Sequence, residues 1–272
     1  MQRRLGCLAG CLIFPLNPEL ITLTPNQLKR MLKSKNIYEI YAATGLAAAV
    51  CNREIAIHME EDVERLLKHS KSCVRKGGCA LARKLTLSSL EAGKKLSGLL
   101  IQSLKDNDIT VLISASGAIL DCALVYPHLF VNAIPILFGL LDHKNNWLII
   151  KALQALCALL DFEKRLYTKL APKLLQLLNK TDVISLESEI HKQVAMHFSN
   201  VGELIEKTKD KVMNYLESSD PNIRYMGLII LRHLLKAHRS FLILYKDKLL
   251  QMLSFNDKTI KLRVLEILSD SV

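Results

Sequence analysis

The stretch Asp220-Pro221-Asn222-Ile223-Arg224-Tyr225-Met226-Gly227-Leu228 opens a segment that reads as one helix from its first residue. Asp220 is a good N-cap, and Pro221 falls at the first helical position, where its missing N–H forfeits no hydrogen bond. Ile223, Met226, Gly227, Ile230, Leu231, Leu234 and Leu235 then recur at helical steps, one continuous apolar stripe. Ala237-His238-Arg239-Ser240 breaks the helix, and Tyr245, Leu249, Leu250 and Leu253 stripe a second one that ends before Ser254-Phe255-Asn256-Asp257. A lone pair of such helices cannot bury both apolar faces, so neighbouring pairs must stack.

Working outward, the same punctuation recurs along the chain. Polar clusters stand at Ser34-Lys35-Asn36, Ser70-Lys71-Ser72, Asp106-Asn107-Asp108, Lys144-Asn145-Asn146, Lys180-Thr181-Asp182, Ser219-Asp220-Pro221 and Asn256-Asp257-Lys258. Their spacing of roughly 36 to 39 residues is that of helical solenoid repeats. No segment alternates with the period of a strand. The expected fold is therefore all-α, an α-solenoid of HEAT or armadillo type with about seven hairpin repeats, as a single domain over residues 1–272.

Composition agrees. Of 272 residues 50% are hydrophobic and 6% aromatic, with 11 glycines, a poor diet for sandwiches and barrels and a rich one for helices. The seven cysteines, an odd number without a dense framework, point to thiols in a reducing compartment. Arg3 and Arg4 before the uncharged run Leu5–Phe14 imitate a secretory signal. The continuation Pro15-Leu16-Asn17-Pro18-Glu19 lacks small cleavage-site residues, so a buried helix ended by Pro15 is the expectation. Cys122–Leu141 carries no formal charge, yet Pro127, His128, Asn132 and Pro135 make it a poor membrane span and a good buried helix–turn–helix. The chain reads as soluble. It opens at Met1 on an apolar helix and stops at Val272 within the run Leu262, Leu265, Ile267 and Leu268, with no polar-faced cap at either end. A piece of a longer chain, or ends covered by a partner, is expected.

The residues that carry chemistry elsewhere are sparse here. Cys7 and Cys11, or Cys73 and Cys79, form no Cys-x-x-Cys and supply too few converging ligands for zinc, so they read as small buried hydrophobes. His191 with His197, and His233 with His238, are not spaced to share one helix face. No nucleophile elbow occurs, and Gly77-Gly78 lacks the Lys-Ser/Thr of a phosphate loop. No enzyme, metal or cofactor is expected. The net charge of +11 concentrates over Lys71–Lys95, where Lys71, Arg75, Lys76, Arg83, Lys84, Lys94 and Lys95 face Glu91 alone. The plain reading is a solvated helix face. The sharper one makes Arg75, Lys76, Lys94 and Lys95 part of a surface toward acidic lipid or an acidic GTPase. Nucleic acid is disfavoured because no stacking aromatics interleave with the cations. Trp147, at the first turn of a repeat, reads as packing between repeats ahead of a partner anchor.

Several of these stretches resemble the N-terminal trunk of adaptins, the large subunits of vesicle-coat adaptor complexes. The basic-Tyr-x-Gly-Leu run at Arg224–Leu228 after Asp220 and Asn222 carries the likeness, continued by Lys246-Asp247, Leu249-Leu250-Gln251-Met252-Leu253 and Asp257-Lys258-Thr259-Ile260-Lys261-Leu262-Arg263. Asn145-Asn146-Trp147-Leu148-Ile149-Ile150-Lys151, followed by Leu153, Leu156, Glu163 and Arg165-Leu166, is similar to the delta type of the third adaptor complex, and Arg4–Ala9 and Leu23–Leu28 fit the earlier part of that trunk. The resemblance makes Asn145, Asn146, Trp147, Lys151, Asp220, Pro221, Tyr225 and Gly227 signature residues of structural role. It departs from the family at Val74-Arg75-Lys76-Gly77-Gly78-Cys79-Ala80, where two glycines replace a basic, alanine-containing helix start and put that repeat's rigidity in question, and it is weak over Val183–Asn200.

What the resemblance implies is a non-enzymatic scaffold that sorts membrane cargo toward lysosome or vacuole. Its partners would be a small sigma-type subunit, a second large beta-type and a medium mu-type subunit, an Arf-family GTPase and an anionic membrane. The location implied is cytoplasmic and peripheral on Golgi or endosomal membranes. In related adaptors the lipid- and dileucine-contacting basic residues lie toward the trunk's beginning, expected before Met1, so no cargo-binding residue is carried over. The alternative from another class is a transport receptor or regulatory HEAT scaffold of karyopherin-like type, distinguished by a Ran-type GTPase partner.

Overall fold

The computed structural model describes residues 2–271, so Met1 and Val272, where the chain ends were read, lie outside the described residues. The described residues form sixteen α-helices and four short 3-10 turns, without a strand, in two compact units, Met1–Glu163 and Lys164–Val272.

The first unit runs α1 (Gln2–Ile13), α2 (Pro18–Ile21), α3 (Pro25–Leu32), α4 (Ile37–Val50), α5 (Arg53–Leu67), α6 (Ser72–Ser88), α7 (Leu90–Ser103), α8 (Ile109–Ala123), α9 (Ile134–Leu140) and α10 (Asn146–Cys157). Helices α4, α6, α8 and α10 pack side by side in one layer, while α3, α5 and α7 pack in a second layer against them. The second unit holds α11 (Lys164–Lys180), α12 (Ile184–His197), α13 (Gly202–Glu217), α14 (Pro221–Ala237), α15 (Leu242–Met252) and α16 (Lys258–Ser271). There α12, α14 and α16 form the corresponding layer, with α13 against α12 and α14 and α15 against α16. Each unit is thus the stack of helical hairpins that the repeats call for.

The polar clusters do the local work expected of them. The Asn36 side chain accepts from the Tyr38 N–H at 3.0 Å, Asp108 from Thr110 at 2.8 Å, Asn145 from Leu148 at 3.1 Å and Asp220 from Asn222 at 2.8 Å. Asp257 accepts from both Thr259 and Ile260. Each cap satisfies an N–H that the first helical turn leaves without a partner. Hydrogen bonds from Thr110 and Ser72 hold the Asp108 carboxyl down at about 2, ionised as a cap at a helix N-terminus prefers.

Several expectations need correction. Helix α1 does end before Pro15, but it is not buried: it covers only Cys7 and Gly10 and exposes Leu5, Leu8 and Leu12. The segment Cys122–Leu141 is a helix end, two 3-10 turns and α9, and no helix among the described residues is long and apolar enough to cross a membrane. In α15 the buried stripe is Tyr245, Leu249 and Met252, whereas Leu250 is 48% exposed. In α16 the core takes Ile260, Val264 and Ile267 and leaves Leu262 and Leu265 outside.

The two glycines in α6 are a contact. A Cβ at Gly78 would stand 3.1 Å from Leu66 Cβ and 3.1 Å from the Leu67 backbone nitrogen, and one at Gly77 3.1 Å from Thr44 Cγ2. Their helix cost of about 1 kcal/mol each is what lets α6 press against α4 and α5, so the suspected loose repeat is a tight one.

Candidate interaction surface

Chemistry is as sparse in space as in sequence. Among the described residues no group of three His, Cys, Asp or Glu side chains is placed to hold a metal. Of the four cysteines read as buried, Cys7 and Cys79 are, Cys11 is half-buried and Cys73 is exposed; burial pushes the Cys79 and Cys122 thiols up to about 12, away from thiolate reactivity. His191 is buried with Nδ1 2.9 Å from Thr208 Oγ1, and burial lowers its pKa to about 4. A neutral imidazole bonded to a buried hydroxyl is a packing group.

The four cations singled out from the sequence separate. Arg75 is held by Asp106 through Nε at 2.6 Å and Nη2 at 2.8 Å, and its Nη1 donates to the carbonyls of His69 at 2.8 Å and Ser70 at 3.0 Å. That bidentate pair raises the Arg75 pKa and lowers that of Asp106. Arg75 therefore ties the start of α6 to the turn before α8 and has little left to offer a partner. Lys76 and Lys94 are exposed, and Lys95 reaches Glu60 of α5 at 2.6 Å while remaining largely in solvent. Lys76 belongs to the α6 layer, Lys94 and Lys95 to the α7 layer.

The signature residues sort differently. Asn145 caps α10, Asn146 is its first residue, and Lys151 donates to Gln154 Oε1 at 3.1 Å. Asp220 and Pro221 start α14 as read. Tyr225 Oη accepts from Arg263 Nη2 at 2.8 Å, with the guanidinium 5.3 Å over its ring, which joins α14 to α16. A Cβ at Gly227 would come within 2.9 Å of Tyr215 Cβ, so this glycine lets α13 and α14 meet. Trp147 departs from its expected role: it is 64% exposed and does not pack between repeats.

Two features escaped the sequence reading. Arg224 repeats the Arg75 device, donating to the carbonyls of Ser218 at 2.5 Å and Ser219 at 2.7 Å, five and six residues back in both cases. Its signal was available: a basic residue at the fourth position of a helix that follows a polar turn. The second is an apolar groove of about 410 Å³ between α1 and α4, lined by Leu8, Cys11, Tyr38 and Tyr41 with Arg4 at its wall. Leu8 falls in the run expected to be a buried helix, and Tyr38 and Tyr41 carry no motif that marks them.

Stacked hairpins joined by caps, glycine contacts and inter-helix arginine ties define the class of helical-repeat proteins. Residues 1–272 match the adaptin N-terminal region throughout, and the chain belongs to that family. It is 30% identical to the AP-3 complex subunit delta-1 of Bos taurus, over 98% of this chain and 23% of the relative. It is also 30% identical to the AP-3 complex subunit delta of Schizosaccharomyces pombe, over 100% of this chain and 34% of the relative. The AP-1 complex subunit gamma-1 of the same yeast matches at 22%, over 98% of this chain and 33% of the relative, below the two delta subunits. The chain spans between about a quarter and a third of these relatives. A chain in a homology model of the full-length AP-3 complex in an intermediate open conformation superposes with TM-score 0.75 at 24% identity, covering 100% of this chain and 48% of that one. A designed armadillo repeat protein does so with TM-score 0.52 at 18% identity, over 76% and 98%. Both are likenesses of fold, and they support the expected α-solenoid class.

Proposed function

We propose that this chain is trunk from the delta-type large subunit of a vesicle-coat adaptor complex, a non-enzymatic scaffold in intracellular protein transport that sorts cargo toward lysosome or vacuole. Both compact units belong to that one trunk. The observation that carries the reading is the conjunction of the full-length family match with a layer of helices locked by caps, glycine contacts and arginine ties. A rigid ladder of this kind suits a protein that holds other subunits in fixed geometry and performs no bond-making of its own.

In this reading the trunk cradles a small sigma-type subunit and meets beta-type and mu-type partners. An Arf-family GTPase recruits the complex to the cytoplasmic side of Golgi or endosomal membranes, where anionic lipid is contacted peripherally. Lys76 and Lys94 remain available to an acidic partner, since both are exposed, whereas Lys95 is shared with Glu60. Co-expression with a sigma-type subunit is expected to raise both soluble yield and melting temperature, as a ligand of the folded state must. An unchanged melting temperature at saturating partner refutes the proposal.

A further inference from the structure

The second unit holds a polar cavity of about 250 Å³, walled by the consecutive helices α11, α12 and α13. Its floor is the ring of His191, which is 3% exposed. Several groups around that floor serve one another. Glu187 takes a hydrogen bond from Tyr215 Oη at 3.0 Å and pairs with Lys211 Nζ at 2.8 Å. Lys207 Nζ donates to Asn179 Oδ1 at 3.2 Å, which leaves two of the three ammonium N–H groups unspent.

The packing contact of His191 uses one ring nitrogen. The Thr208 hydroxyl gives its single hydrogen to the Leu204 carbonyl at 2.8 Å, so toward His191 Nδ1, 2.9 Å away, it can only accept. Nδ1 therefore holds the ring proton. Burial keeps the imidazole neutral, and Lys211 and Lys207 act in the same direction against Glu187. Nε2 is left as a bare acceptor. No described residue donates to it, yet it is not sealed in the core as Thr86 Oγ1 and Ser116 Oγ are. An acceptor so deep and without a donor is where an incoming N–H gains most.

The contents of the cavity select its occupant. Lys207 and Lys211 balance Glu187 and Asp210, so no net charge favours an ion. An acceptor in the floor and a donor in the wall ask for a neutral group with an N–H and a carbonyl oxygen at one tip, which is a primary carboxamide. A main-chain amide has both functions, but the Cα on each flank keeps it from descending to the His191 ring. Leu178 gives the wall an apolar surface for a methylene stem, and glutamine has one methylene more than asparagine with which to reach. We propose that this cavity receives the glutamine side chain of a partner protein, which donates its N–H to His191 Nε2 and accepts from Lys207 Nζ. The proposal rests on the reading of this chain as a protein-binding scaffold and on no particular subunit.

The test uses the full chain with nitrogen-15 in its histidines, the His191 resonances being those lost in His191→Gln. At neutral pH they should show Nδ1 protonated and Nε2 bare; the opposite tautomer overturns the proposal. Propanamide, which reproduces the glutamine side chain, should then shift the Nε2 resonance upfield in a saturable way. Lys207→Met alters a side chain at the cavity wall, so circular dichroism should be unchanged while propanamide binding weakens about tenfold or more. Lys209→Met, on the same helix but outside the cavity, should bind as the parent does. The proposal is overturned if propanamide never saturates, or if Lys207→Met binds it unchanged. Tighter saturation by propionate or inorganic phosphate would make the cavity an anion site, and equal binding of N-methylacetamide would give it to a main chain; either result overturns the glutamine assignment. Failure of the parent chain to bind a sigma-type subunit would strike the adaptor reading and leave these titrations standing.

Discussion

Replacing Gly227 by alanine tests the packing argument with one methyl group. In an exposed helix interior this change is worth about 1 kcal/mol of stability, because alanine is the better helix former. At Gly227 the added Cβ meets Tyr215 Cβ at 2.9 Å, Leu216 Cδ2 at 3.3 Å and the Leu216 nitrogen at 3.5 Å. The first of these sits next to the α13 backbone and cannot rotate away, so α13 and α14 must separate by several tenths of an ångström. Overpacking of that kind costs about 1–3 kcal/mol, which leaves Gly227→Ala destabilised by about 1 kcal/mol after the propensity gain. Gly45, in α4, has nothing within 4 Å of its would-be Cβ, so Gly45→Ala should be stabilised by about 1 kcal/mol. The assay is urea unfolding followed by far-ultraviolet circular dichroism, with hydrogen exchange over α13 and α14 to locate the loss in the second unit. If Gly227→Ala proves as stable as the parent, the close approach of α13 and α14 is not what this glycine serves.

Three further outcomes follow from the same contacts. Burial holds His191 neutral, its pKa lowered from 6.5 to about 4, so the unfolded chain binds the proton first and stability is lost as pH falls from about 6.5 toward 4, by about 3 kcal/mol in all. Urea midpoints at neutral and acid pH should show this, and His191→Gln should flatten the profile; an unchanged slope sinks the account. Arg75→Met strands Asp106 and the His69 carbonyl and should cost about 2 kcal/mol, with partitioning onto anionic vesicles unaltered; reduced vesicle binding by a folded Arg75→Met would return Arg75 to the membrane. Trp147→Ala should move stability by less than about 0.5 kcal/mol because the ring is in solvent, while Asn145→Ala, one cap away, should cost about 1 kcal/mol. Melting curves that rank these two the other way would show the indole to be packed.

The sequence by itself determined the elements and their repetition. Helical periodicity and N-cap chemistry are properties of a few consecutive residues, so Asp220, Asn145 and Asn36 announce their helices wherever the chain later goes. The adaptin likeness was legible for the same reason, since Asn145–Lys151 opens on a cap and Asp220–Leu228 combines a cap, the contact glycine Gly227 and the Tyr225 that ties α14 to α16. What the tertiary structure alone decided is which faces meet. Whether Leu12 or Leu250 is core, whether Arg75 is a free cation or a staple, and whether Gly77 and Gly78 loosen α6 or seat it all depend on a neighbour that arrives from some thirty residues away or fails to arrive. An apolar stripe states that a face prefers cover. Only the arrangement of helices in space says which stripes have received it.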